Sequence, residues 1–335
     1  KTKIMSFDQG SSVTLKGVTT MTDESMYGIV TPVSQDESAG YVGGKYEVDK
    51  NVVSDKALRT IGAVRRAGRF IMAGMDAPLY PDSNDENVWA HWSRGNYGPG
   101  DWSGSHNDLA AGVDLYHTDH SRAGISVMHT NSSLDRTENL GEVSMKKKFT
   151  RVSLYGRHDF AGGLHAAGDV FAGGIRIKDT SLVDMSTRTA GVHAEVCVDV
   201  PAGRGTITPL VRAAYAGIRG FTTKDGEGFP FTMKESHYSS FSAGLKASLP
   251  LSPVSLLTAY AGWGIRTGYD IDGTMSDAWN TMDISESGKE HVKTLGIGYR
   301  CDVTPFARLS LSAAREFSSG LHDDWNFQVS AAYKF

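Results

Sequence analysis

No apolar run in the 335-residue sequence approaches the roughly 18 residues of a transmembrane helix, and the richest short stretch, Phe70 to Met75, is far too brief. Cysteine is nearly missing: of the two present, Cys197 falls on the polar parity of its stretch and Cys301 on the apolar parity of its own. They should therefore face opposite sides of a sheet, and no disulfide between them is expected. So few cysteines suit export through an oxidising compartment. An excess of one charge is missing too. Lys and Arg number 34 against 38 Asp and Glu, a net charge of -4 that gives no electrostatic case for nucleic-acid binding. There is no Gly-x-Ser-x-Gly and no Walker loop, and the glycines of 262–268 lie within an alternating stretch rather than between a strand and a helix, so no dinucleotide site is implied. The mean hydropathy of -0.29 and 21% charged residues read as soluble. A membrane barrel gives the same averages, because its apolar residues occupy only alternate positions. If the chain spans a membrane, it does so as strands.

What is present is clearest from Trp325 to Phe335. Trp325, Phe327, Val329, Ala331, Tyr333 and Phe335 share one parity, and Asn326, Gln328, Ser330, Ala332 and Lys334 share the other. An extended backbone puts these sets on opposite faces. About ten residues of tilted strand cross the hydrocarbon layer, and aromatics at both ends suit its two interfacial girdles. The edge strand of a soluble sandwich would alternate as well; the girdles favour a membrane barrel.

The same alternation recurs along the chain after a Pro-rich link, Ala77 to Asn87. It runs through Val88–Trp92, Leu109–Leu115, Ala123–Val127, Val152–Leu154, Ala166–Ala172, Val192–Val200, Ile207–Tyr215, Phe241–Leu249, Leu257–Tyr269, Leu295–Tyr299 and Leu309–Phe317. With the closing stretch this predicts about twelve strands, an even number. Connections alternate between tight (His117–Ser121, Ala161–Gly163, Pro201–Gly205, Pro250–Pro253, Val303–Phe306) and long and polar (Asn96–Gly104, Asn131–Val143, Lys178–Ser186, Thr222–Glu235, Ile271–Lys289). Periplasmic turns on one rim and extracellular loops on the other require this of an up-and-down barrel, and a sandwich does not. The expected fold is all-β, an antiparallel up-and-down transmembrane barrel over 88–335.

Two segments precede it. Residues 1–48 hold short β-prone pieces such as Ser12–Val18 and Met26–Val30, none long enough to cross a bilayer. Within 49–87, Ser54 is a candidate N-cap, and Leu58, Ile61, Val64 and Ile71 recur at helical spacing before Pro78 and Pro81. This predicted helix is basic (Lys56, Arg59, Arg65, Arg66, Arg69) and thin (Gly62, Gly68 and several Ala). Each internal glycine costs on the order of 1 kcal/mol against alanine, so its surroundings must repay that cost. A channel lined with carboxylates would do so; a solvated surface helix, or one lying on anionic lipid, is the competing reading.

The inward parity carries Asp114, Asp169, Glu195, Asp199, Arg212, Lys246, Arg266, Arg300, Arg308 and Glu316, which predicts a polar lumen. Gly244, Gly262, Gly264, Gly296 and Gly298 also fall inward, on three consecutive strands. They are expected to leave a bare wall for the Gly/Ala surface of the helix, while its arginines reach the acidic residues Asp114, Asp169, Glu195, Asp199 and Glu316. Relief of barrel curvature is the other account of the glycines.

One helix, about twelve strands and a terminal aromatic together resemble the translocator domain of type Va autotransporters. The segment Val88 to Thr130, Trp-rich and followed by Leu-Ala-Ala-Gly-Val-Asp and Ala-Gly-Ile-Ser-Val, resembles that domain's first three strands. Gln328, Tyr333 and Phe335 fit the assembly signal of such barrels, with Ser330 where Gly is usual. The resemblance implies an outer membrane of a Gram-negative bacterium, with the passenger side extracellular. It implies insertion by the barrel-assembly machinery, contact with outer-membrane lipid and lipopolysaccharide, secretion of an N-terminal passenger with the helix left in the pore, and a monomer without cofactor. Residues 1–48 would be the passenger's last part, near an autochaperone region, and the start at Lys1 without signal peptide or initiator Met is expected of a fragment of a longer exported chain. Some members release the passenger by asparagine cyclisation; Asn51 is the one asparagine near the helix, and the Asn-Asn pair of that subgroup is absent.

Other chemistry is thinner. His322, Asp323 and Asp324 could form a rim protease site, but read more simply as a solvated turn. His117 and His120 flank a tight turn without an evident third metal ligand. A porin is the remaining alternative, and it leaves the basic helix without a place.

Overall fold

Alternation in the sequence becomes a closed cylinder in the computed structural model. It describes residues 5–6, 24–25, 28–36 and 41–49, then 70, 71, 74, 75 and 77, then 87–335 except 98–102, 139–140, 180–183, 225–229, 269–270, 277–280, 287, 319–323 and 335. The predicted strand piece Ser12–Val18, Asn51, and Lys56, Arg59, Gly62, Arg65, Arg66, Gly68 and Arg69 of the predicted helix lie outside the described residues. So do His322, Asp323 and Phe335.

The wall strands are β1 Val88–Tyr97, β2 Ser103–His117, β3 Ser121–Glu138, β4 Gly141–Asp159, β5 Leu164–Asp179 and β6 Asp184–Val198. They continue as β7 Gly205–Ile218, β8 Ser236–Ser252, β9 Ser255–Thr267, β10 Lys289–Asp302, β11 Ala307–Ser318 and β12 Asp324–Tyr333. Each pairs antiparallel with the next, and β12 returns to β1 through Tyr333↔Val88 and Val329↔Trp92. A further segment, Val200–Ala202, only prolongs β6: Val200↔Ile207 keeps the register of Cys197↔Leu210 across the interruption at Asp199. The barrel is therefore twelve-stranded, antiparallel and closed, as the alternation predicted.

Closure leaves one set of side chains outside, and it is the apolar set. Every strand exposes a large apolar residue, among them Trp92, Leu109, Val127, Leu154, Val170, Val192, Val211, Phe241, Trp263, Ile297, Leu311 and Phe327. The opposite parity buries Arg122, Lys147, Arg151, Asp169 and His193. Water as the outer solvent would not sustain this inversion; hydrocarbon does, and a ring without edges satisfies every strand's backbone within it. Cys197 and Cys301 are both free.

On the rim of tight turns, Phe160 to Leu164 reverses the chain through Gly162 (φ 78°) and Gly163 (φ 77°). At Gly163 a Cβ would also lie 2.7 Å from the Asp199 carbonyl. The other rim differs from the expectation of long polar loops. Asn131–Val143 is mostly a hairpin extension of β3 and β4, with Leu134 and Met145 buried. The Thr222–Glu235 and Ile271–Lys289 connections hold the strands Phe221–Lys224, Pro230–Met233, Ile271–Ser276 and Thr281–Glu286, which pair into a separate four-stranded sheet. Phe231 and Met233 are buried in it, and their alternation with Pro230 and Thr232 is what makes the loop extended. Before the barrel, Met5–Ser6, Glu24–Ser25, Gly28–Asp36 and Tyr41–Asp49 are strands paired among themselves.

Candidate functional site: the barrel lumen

The lumen is lined by the inward parity of all twelve strands, and the part that meets the chain before β1 lies on β4, β5 and β6. On β4 this row is Met145, Lys147, Phe149, Arg151, Ser153 and Tyr155, all buried. Into it comes the chain that leads to β1. Phe70 and Ile71 are helical, Gly74 adopts φ 80°, and Phe70, Ile71 and Met75 are 3%, 1% and 0% exposed. A helix end leaves carbonyls without partners inside the helix, and a left-handed glycine commonly follows it. Three wall side chains supply donors there. Lys147 Nζ donates to the Phe70 carbonyl at 2.8 Å and lies 5.0 Å from the centre of the Phe70 ring. His193 Nε2 donates to the Met75 carbonyl at 2.7 Å, its Nδ1 being 2.9 Å from Asp169 Oδ1. Arg151 donates to the Ala77 carbonyl and stacks 5.0 Å from the Phe171 ring, itself stacked 5.1 Å from His193. Positive groups at a helix C-terminus also oppose the negative end of its dipole.

Beyond these contacts the segment meets an apolar tier. Phe70, Ile71 and Met75 belong to one buried cluster with Leu134, Met145, Phe149, Ile175, Ile177, Met185, Ile218, Phe231, Met233 and Tyr238. The lumen expected to be polar thus also carries, among the described residues, a buried apolar cluster.

The acidic residues singled out by parity all have partners on the wall. Asp114 accepts from the Tyr155 hydroxyl at 2.7 Å and lies 2.9 Å from His117 Nδ1 and 4.0 Å from Arg122. Asp169 meets His193, Glu195 accepts from Arg212, and Asp199 accepts from Thr208 at 2.5 Å and meets His165 at 3.0 Å. Glu316 holds Arg266 bidentately at 2.5 and 2.9 Å. Of the glycines, Gly244 and Gly262 lie under the ring of Tyr260: a Cβ on them would come 2.7 and 2.2 Å from that side chain. At Gly264 a Cβ would meet the Phe241 carbonyl at 2.9 Å, at Gly298 the Thr258 hydroxyl at 2.6 Å, and at Gly296 nothing closer than 3.5 Å. Arg212 stands 5.7 Å from the Tyr260 ring. Gln328 donates to Ser330 at 3.0 Å inside, and Tyr333 is exposed outside. Asp324 opposes Glu316 at the start of β12.

Lys147, Arg151, His193, Phe70, Ile71 and Met75 are not among the site residues expected from the sequence. The signal was there in part: Lys147 and Arg151 sit on the parity opposite Val152 and Leu154, so they had to point inward.

An apolar belt on every strand, an edgeless ring and a polar lumen define a membrane-spanning β-barrel of the bacterial outer membrane. The chain belongs to the autotransporter family: the model of the autotransporter beta-domain matches residues 87–314. Among solved structures it is similar to the transport unit of the autotransporter AIDA-I from Escherichia coli, at 16% identity over 81% of this chain and 98% of that one, with a TM-score of 0.63. The beta domain of the Bordetella autotransporter BrkA is 15% identical over 75% of this chain and all of that one, TM-score 0.56. The translocator domain of the autotransporter NalP from Neisseria meningitidis is 16% identical over 83% and 98%, TM-score 0.52. At such identities the likeness is one of fold. Among curated proteins, none matches the chain. A Gram-negative outer-membrane location and an N-terminally linked passenger follow from the family.

Proposed function

We propose that the barrel anchors its own N-terminal passenger and serves its secretion to the cell surface, the predicted helix of 49–87 remaining in the lumen as a plug. The observation that carries this reading is the seating of Phe70, Met75 and Ala77 on Lys147, His193 and Arg151. The chain just before β1 is held by groups that face the lumen, which is where a segment that had passed through the ring would be left. Size is consistent: twelve strands about 4.8 Å apart, tilted by roughly 40°, close on a backbone ring about 24 Å across. Lining side chains reduce that to about one helix diameter, 10–12 Å. On this reading the helix glycines 62 and 68 keep it thin, and Lys56, Arg59, Arg65, Arg66 and Arg69 share the lumen carboxylates with the wall partners described above. Residues 1–48 are the passenger's end, Gln328, Tyr333 and Phe335 are read by the barrel-assembly machinery, and no catalytic step is assigned.

Single-channel conductance in planar bilayers, with and without residues 50–76, tests the plug. Conductance should be low in the whole chain and rise sharply on deletion; equal values in both overturn it. Direction of display is tested separately. Protease added to intact cells should remove residues 1–48 and spare the barrel, and protection of those residues until the cells are lysed overturns surface display.

A further inference from the structure

Outside the barrel, beyond the apolar belt on the rim of long loops, the outward parity of β4, β5 and β6 changes character. Lys146 and Lys148 on β4 are exposed, as are Arg176 and Lys178 on β5, Arg188 on β6 and Arg219 just after β7. Register makes them neighbours: Lys148 is directly opposite Arg176, Lys146 directly opposite Lys178, and the Arg219 amide donates to the Arg188 carbonyl at 2.9 Å. Like charges directly across a sheet destabilise it, so a square of four cations calls for an anion. Asp184 supplies one, gripping Arg176 at 2.6 and 2.9 Å and reaching Lys178 at 3.7 Å. Among the described residues the six cations face two outward carboxylates, Asp184 and, on β3 diagonal to Lys146, Asp135, and Lys146, Lys148 and Arg188 have no ion-pair partner. The chain as a whole is net negative, at -4, so this is a local concentration of charge.

Height decides what anion it meets. From exposed Phe160 at the tight-turn rim, Lys148 is twelve residues up β4, and Arg176 is twelve residues up β5 from Leu164. At about 3.3 Å per residue and a tilt of roughly 40°, both stand about 30 Å above that interface. The apolar belt is about 25 Å tall, so the cations lie at headgroup level in the opposite leaflet. Between belt and cations the outward positions are small, Thr150, Ala172, Gly174 and Ala190, with no aromatic among them. On the other side of the barrel Arg315 is instead sandwiched 4.7 Å from Phe317 and 4.9 Å from Trp325. The β4–β6 face therefore offers bare cations where that side offers rings.

We propose that the Lys146, Lys148, Arg176, Lys178, Arg188 and Arg219 patch is a binding site for the phosphate groups of a phosphorylated glycolipid of the outer leaflet, of the lipid A type. The proposal rests on reading the long-loop rim as the outward one. The test uses the folded whole chain in neutral detergent, titrated with diphosphoryl lipid A and with the same lipid stripped of phosphate, bound lipid being counted by native mass spectrometry. Diphosphoryl lipid should bind as a discrete complex and the stripped lipid far more weakly. Juxtamembrane cations contribute about fivefold each, so Lys146→Gln, Lys148→Gln and Lys178→Gln combined should weaken binding on the order of a hundredfold. Asp184→Asn should tighten it, and Lys293→Gln, outward on β10, should leave it unchanged. Equal affinity for the two lipids, or for wild type and triple variant, overturns the site. Full displacement by equimolar inorganic phosphate overturns the lipid claim in favour of a soluble anion. Heat-modifiable migration verifies the fold of each variant, and the two-lipid comparison on wild type decides the matter if the triple variant does not fold. Failure of the outer-membrane reading would show elsewhere, as absence of the protein from the outer-membrane fraction of cells.

Discussion

A methyl group added to Gly262 would come within 2.2 Å of the Tyr260 hydroxyl, and the ring has nowhere to go but off the backbone of Gly244 and Gly262. Gly262→Val should cost about 1–3 kcal/mol of stability, as overpacking does, read as a lower urea midpoint of the folded barrel. In a Tyr260→Ala background the same substitution should cost much less; an unchanged penalty would mean the clash is with the strand itself. Lys147 and Arg151 act on a different link, since each satisfies a carbonyl of the segment before β1. Lys147→Met with Arg151→Met should raise the conductance of the intact chain without removing any of residues 50–76, and an unchanged conductance would show that the apolar tier holds the segment unaided. These residues mark the edge of what sequence discloses. Parity says that Lys147 and Arg151 face inward, but not that their partners are carbonyls over seventy residues earlier, because a carbonyl has no residue-type signature.

For elements, the membrane inverts the usual ranking of substitutions. Met145 is fully buried in the extension of β3 and β4, while Val152, seven residues along the same strand, is 48% exposed to what is lipid. Met145→Ala should therefore cost about 2–5 kcal/mol, whereas Val152→Arg, placed in the belt, should cost about 2–4 kcal/mol and Val152→Ala far less. Folding into lipid vesicles against urea measures all three. The same contrast explains why strands were legible only in part. Inside the belt, outward Val127 and Val152 announce their strands by apolar alternation. Above it the outward residues are Asn131, Ser133 and Asp135 on β3 and Lys146 and Lys148 on β4, so the ladder continues while the apolar signal stops. The expected loop Asn131–Val143 was an inference from that silence. The sheet formed by Phe221–Lys224, Pro230–Met233, Ile271–Ser276 and Thr281–Glu286 is silent in the sequence for a related reason, its pairing being between two loops remote in sequence.

The molecule as a whole is a ring whose only seam joins β12 to β1. Gln328 faces Ser93 across that seam on the inward side. Ser93→Cys with Gln328→Cys should give a disulfide under mild oxidation, seen as a mobility shift without reductant, and failure to form it with the fold intact would displace the register described. The count of twelve and the closure were readable because every strand repeats the same parity and the last one has a partner face to offer. What the lumen contains was not, since a packed interior depends on three-dimensional neighbours.

The seam also sets an order in time. A ribosome makes β12 after everything from β1 to β11, and a cylinder that lacks its final stave encloses no hole. Whatever is joined ahead of β1 has already been synthesised in full when the ring can first close. Nor can the finished ring stretch to admit a globular object, because widening means parting a whole ladder of hydrogen bonds in hydrocarbon. Anything that crosses by way of this ring crosses as a thread, after translation and not during it.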